Sequence, residues 1–160
     1  MKLALQSVSI AATIIFLIFT AKLYLLAPDK HSTVVPTVSL TATSECNLLE
    51  SRCLFSAGHR QVFLTLSGDV RTMKAFTLKA EMVGFNSEIK QVSARFLMQS
   101  MNMGVNTFRL LKAEKIANSH FWQATILLPV CVSKRTDWIM QFQLIADDKM
   151  YQALVPLQIK

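Results

Sequence analysis

Trp138–Ile145 reads WIMQFQLI. In an extended chain Trp138, Met140, Phe142 and Leu144 fall on one side and Ile139, Gln141, Gln143 and Ile145 on the other, so the first face is wholly apolar and the second carries the amides. A period of two held over such a run predicts a half-buried β-strand. The same alternation recurs in VFLTLSG, where Val62, Leu64 and Leu66 oppose Phe63 and Thr65. Short apolar runs separated by polar or glycine-containing turns predict strands near Cys53 to Ala57, Gln61 to Leu66, Phe76 to Val83, Ile89 to Leu97, Thr107 to Lys112, Trp122 to Leu128, Trp138 to Ile145 and Tyr151 to Gln158. Turn signals stand between them at Ser67-Gly68-Asp69, Gly84-Phe85-Asn86, Asn118-Ser119 and Asp147-Asp148. The one serious helical rival is Met73 to Met82, rich in Ala, Lys, Leu and Glu but short and without a good cap. The expected fold is an all-β, immunoglobulin-like sandwich of about eight strands.

The N-terminal third is different in kind. Leu3 to Ala21 is free of charge, and at ~1.5 Å per residue a helix over it measures roughly 28 Å, the thickness of a bilayer core. A cleaved signal peptide is the competing reading, with Lys2 as its positive start. The triplet ending at Ala21 has Phe19 at its first position, and the one ending at Ala27 has Leu25 there with Pro28 beyond, so neither makes a good cleavage site. An uncleaved single-pass anchor over 1–27 is expected. Residues 28–45, rich in Ser, Thr and Pro, then read as a tether, and 46–160 as the folded domain. Long C-terminal portions translocate regardless of nearby charge, which places the domain outside the cytoplasm.

The net charge is +7, from 17 basic and 10 acidic residues among 160. No Lys/Arg run exceeds the pair Lys134-Arg135, so nothing tracks a phosphate backbone and nucleic-acid binding is not expected.

Chemistry-bearing residues are few. Cys46 and Cys53 have six residues between them, and in an oxidising compartment so short a loop closes readily into a disulfide. A redox or metal-binding pair, or two buried thiols, are the alternatives, and pairing of either with Cys131 stays open. Cys131 itself follows Leu127-Leu128-Pro129-Val130, where a small buried hydrophobe is the default role. Met98, Met101 and Met103 lie within six residues of one another. Thioether sulfur selects Cu(I), and Met-x-Met puts two sulfurs on one face, roughly 7 Å apart at Cα. Copper binding competes there with simple gap-filling by methionine. Trp122 and Trp138 read as core residues, with ligand contact the minority role for an aromatic at a strand start. His31, His59 and His120 are scattered without ligand spacing, although His59 and His120 sit at expected strand ends. The chain has no phosphate loop, nucleophile elbow or HExxH, and no paired carboxylates suited to acid–base work, so an enzyme is not expected.

The stretch FLMQSMNMGVN, continued by FRLL, WQATILLPVCV and DWIMQFQL over Phe96 to Leu144, resembles the FixH/YtkA-like group of membrane-anchored periplasmic proteins. It is also similar to a gammaproteobacterial set with Cys-x6-Cys, Met-Asn-Met-Gly-x-Asn and Leu-Pro-Val-Cys-Val. The resemblance implies a single-pass inner-membrane protein facing the periplasm, with an accessory role in supplying copper to, or assembling, a haem-copper oxidase-type respiratory complex. Carried over by position, Met98, Met101 and Met103 become candidate Cu(I) ligands, with Cys131 as a further soft donor. A non-catalytic interaction module without metal and a thiol-disulfide oxidoreductase are the other readings.

Overall fold

The computed structural model describes residues 35–98, 101, 104, 106–116, 119–130 and 135–160, with the backbone alone for 114 and 115. The span read as an anchor, 1–27, lies outside them, as does the first part of the tether. Among the described residues no helix is long and apolar enough to cross a membrane. The described chain is all-β: β1 (Thr37–Ser39), β2 (Thr41–Ala42), β3 (Cys53–Ala57), β4 (Arg60–Gly68), β5 (Ala75–Val83), β6 (Gln91–Met98), β7 (Thr107–Arg109), β8 (Leu111–Ile116), β9 (Ser119–Leu127), β10 (Asp137–Ala146) and β11 (Lys149–Gln158). They form a β-sandwich of two sheets, ordered β1-β11-β10-β6-β7 and β2-β3-β4-β5-β9-β8. Pairing is antiparallel except between β1 and β11.

The alternation read from WIMQFQLI is the alternation of burial. Trp138, Met140, Phe142, Leu144 and Ala146 of β10 are buried, between Val92, Ala94, Phe96 and Met98 of β6 and Tyr151, Ala153, Val155 and Leu157 of β11. From the other sheet come Val62, Leu64, Phe76, Leu78, Ala80, Met82, Trp122 and Ile126. Each large apolar side chain so placed contributes roughly 1.5–3 kcal/mol of transfer free energy. The helical rival is a strand: Phe76, Leu78, Ala80 and Met82 all face inward, and β5 is held on both sides by β4 and β9. Two hydrogen-bonded neighbours and a period-two apolar face outweigh the helix propensity of Ala, Lys, Leu and Glu.

Two departures from the sequence reading are informative. The single strand expected over Thr107 to Lys112 is broken at Leu110, with β7 in one sheet and β8 in the other. Leu110 is fully buried at the crossing, and its N–H donates to the Val92 carbonyl at 2.9 Å. Burying that one leucine between the sheets turns the chain, while its neighbour Leu111 stays 69% exposed. Secondly, part of the expected tether belongs to the sandwich. β1 runs parallel to β11, Leu40 is buried with its N–H on the Gln152 carbonyl at 2.7 Å, and β2 then pairs with β3 in the opposite sheet. These additions and the split raise the count to eleven strands among the described residues.

Strand directions give the sandwich two distinct ends. At one, Ala75 opening β5 faces Leu127 closing β9, and Met98 closing β6 faces Trp138 opening β10. An edge-on contact of Phe76 with Phe96, centroids 6.3 Å apart, joins the sheets there. At the other end stand the β3–β4, β5–β6 and β10–β11 connections.

Candidate functional site

The methionines expected as soft ligands belong to the first of these ends. Met98 is the last residue of β6 and follows its inward parity after Val92, Ala94 and Phe96. It is 4% exposed and lies opposite Trp138. The chain then folds back: Met101 forms an isolated bridge with Met98, its N–H donating to the Met98 carbonyl at 3.3 Å, and its half-buried side chain packs against the core. Phe96 N–H donates to the Asn106 carbonyl at 2.9 Å and closes the base of the connection. Met103 and Cys131 lie outside the described residues. Two thioether residues of the expected set are therefore brought together, one committed to the core and one at its rim.

Trp138 and Trp122 are core residues, 1% and 9% exposed. Among the described residues neither indole Nε1–H finds an acceptor.

Cys46 and Cys53 lie at disulfide distance, Cα to Cα 5.7 Å, and are bonded. Cys53 begins β3 and is 2% exposed; Cys46 packs half-buried against the core. The bridge closes the loop 47–52 in the connection between β2 and β3 and so ties that connection to the first residue of β3.

His31 lies outside the described residues, and neither His59 nor His120 is near Met98 and Met101. His59 stands in the β3–β4 turn and His120 near the start of β9, where its partner is Met82, at the opposite end of strands about 25 Å long. Among the described residues no group of three His, Cys, Asp or Glu converges as a metal site.

One residue at the methionine end was not singled out from the sequence. Met73, in the β4–β5 connection, is 65% exposed and has φ +59°. Its N–H donates to the Leu128 carbonyl at 2.9 Å, at the start of the β9–β10 connection. Leu127 and Val130 beside it are 53% and 60% exposed.

The opposite end is polar and closed. Arg60 gives both Nε and Nη2 to Asp147 Oδ2 at 3.1 and 2.7 Å, and its guanidinium lies 5.3 Å from the centre of the Tyr151 ring and 5.9 Å from that of Phe85. Asp147 N–H donates to Ser87 Oγ at 3.1 Å, and Lys90 Nζ reaches Asp148 Oδ1 at 2.6 Å. The Ser87 hydroxyl first, and Arg60 after it, hold the Asp147 carboxyl below its ordinary value against the opposing effect of burial. Burial pushes the Tyr151 phenol up; Arg60 draws it back, and the nearby Asp147 charge adds to the rise.

No family model matches the chain, and neither does any curated protein or solved structure.

Proposed function

We propose that the protein is an accessory module, anchored in the inner membrane by its N-terminal span, whose periplasmic domain takes Cu(I) at the methionine end of the sandwich and hands it to a haem-copper oxidase-type respiratory complex. The observation that carries the reading is the return of Met101 onto Met98, which sets two thioether residues side by side at one end of the domain. Thioether donors favour Cu(I) over hard cations and hold it weakly enough to release it. The resemblance of Phe96 to Leu144 to FixH/YtkA-like proteins points the same way, and Met103 and Cys131 are the remaining candidate donors.

The sandwich itself is read as immunoglobulin-like. Setting β1, β2 and β3 aside, the orders β4-β5-β9-β8 and β11-β10-β6-β7 follow the A-B-E-D and G-F-C-C′ arrangement of that fold. A second reading, an interaction module without metal, has its own observation: Met73, Leu127 and Val130 expose apolar surface at this same end. A thiol-disulfide oxidoreductase is less well supported, because exchange requires attack on an accessible sulfur and Cys53 is 2% exposed.

The deciding experiment titrates the full chain in detergent with Cu(I) against a competing chelator. Met101→Leu combined with Met103→Leu is expected to weaken binding by at least the roughly tenfold that losing even an outer-shell partner costs a metal site. An unchanged affinity removes the copper reading and leaves the interaction module.

A further inference from the structure

The outer face of the sheet that contains β4, β5, β9 and β8 carries an open groove of about 580 Å³, with Thr77, Lys79, Lys112, Gln123 and Thr125 in its lining and Leu111 at its rim. Strand register explains why these side chains converge. Phe76, Leu78 and Ala80 of β5 are committed to the core, so Thr77 and Lys79 point outward, and β9 sets Thr125 beside Thr77 and Gln123 beside Lys79. The row from Lys79 through Gln123 ends on Leu111, the first residue of β8, and Lys112 follows it. Hydroxyls and an amide thus lie between two ammonium groups, and the lining holds no carboxylate. Among the described residues neither lysine has an acidic partner, whereas Arg52, Arg60, Arg71, Lys90 and Arg135 each have one.

The groove adjoins a sheet edge that stays open. β5 pairs with β9 along Ser119–Leu127, but β8 reaches only as far as Gln123, because the chain crosses from the other sheet at Leu110. Among the described residues no strand lies beside Ala124–Leu127 on that side, and Thr125 and Leu127 are exposed. Main-chain N–H and C=O groups along such an edge are a template for a further strand. Lysines and bulges blunt edges of this kind, and β8 has both, in Lys112 and the register shift between Lys112 and Glu114. The β9 stretch Ala124-Thr125-Ile126-Leu127 has no charge, proline or bulge.

We propose that this edge and groove together bind an extended acidic segment of a partner protein, which adds to β9 as a strand in line with β8 and lays its carboxylates over Lys79 and Lys112. A period of two makes both contacts at once: alternate side chains of the added strand fall on the outer face, where the lysines are, while its main chain pairs with β9. Carboxylates suit the groove because ammonium, hydroxyl and amide groups all donate hydrogen bonds to an anion. This contact needs no copper at the methionine end.

The test uses the full chain in detergent and, as probe, a labelled eight-residue peptide of alternating glutamate and valine, followed by fluorescence anisotropy. Lys79→Gln combined with Lys112→Gln is expected to weaken binding by about 2- to 30-fold, the range for two exposed ion pairs. Both lysines are exposed, so the melting temperature is expected to hold. Glutamine in place of every glutamate of the peptide should weaken binding at least as much. Methylating one alternate set of the peptide's main-chain nitrogens is expected to abolish binding and methylating the other set to leave it, because only one set faces β9. Lys74→Gln with Lys149→Gln removes the same charge outside the groove and is the control, expected to leave the affinity unchanged. No binding to the wild type, unchanged affinity in the groove variant, an equal loss in the control, or indifference to which nitrogens are methylated each overturns the proposal.

Discussion

The two ends of the sandwich solve different problems with different chemistry. At the end holding the β3–β4, β5–β6 and β10–β11 connections, two aspartates are matched to cations: Asp147 to Arg60 and Asp148 to Lys90, with Phe85 and Tyr151 flanking the guanidinium. The other end has ion pairs too, Arg71 with Asp69 and Arg135 with Asp137, but beside them it carries thioethers and exposed aliphatics. Closing a hairpin on two aspartates with positive φ, 52° each, requires outside support, and the polar end supplies it. The methionine end buries Met98 but leaves Met73, Leu127 and Val130 exposed.

The contrast can be broken most severely at the core beneath the methionines. Met98→Ala is expected to cost about 2–5 kcal/mol, because it empties a buried site beside Trp138, whereas the volume-conserving Met98→Leu costs less than about 1.5 kcal/mol. Urea unfolding of the two variants measures the difference. Near-equal values would mean that Met98 is not the packing residue its 4% exposure indicates.

A smaller effect is expected at the polar end. Gly84 has φ +80°, and a β-carbon there would sit 2.5 Å from the His59 carbonyl oxygen. Gly84→Ala should cost about 1–3 kcal/mol by strain and displacement of the β3–β4 turn. Gly58, at φ +62° with open space around it, is the control: alanine there meets only the conformational penalty, about 1 kcal/mol. Equal melting temperatures for the two variants would show that the turns at this end are not packed against each other.

The least effect comes from protons. The folded Asp147 carboxyl is held below the value near 3.9 of an unfolded chain, so it contributes stability above that value and loses it as the pH falls through the lowered folded one. The stability gap between the wild type and Asp147→Asn, followed by denaturant midpoints, should therefore close below about pH 4. A gap that stays constant down to pH 2.5 would show that the Ser87 and Arg60 contacts contribute nothing to the ionised form.

Long strands were legible because each has one face on the core. In β10 the buried set falls on alternate residues from Trp138 to Ala146, and the sequence repeats that parity without interruption. The same logic, extended from Val92, Ala94 and Phe96, places Met98 inside, although its neighbours Gln99, Ser100 and Asn102 read as loop. β1, β2 and β7 are too short to display a period, and the crossing at Leu110 is decided by a hydrogen bond to Val92, a partner distant in sequence. Met73 was hidden for another reason. Its signal is the absence of glycine or asparagine where the turn needs one, which becomes visible only once the turn's register is known.

The first strand has a mechanical consequence. Because β1 runs parallel to the last strand, the bonds from Leu40 N–H to Gln152 and from Met150 N–H to Pro36 lie across the line of any pull between the two chain termini. Tension of that kind loads them in shear, so they resist together instead of unzipping one by one.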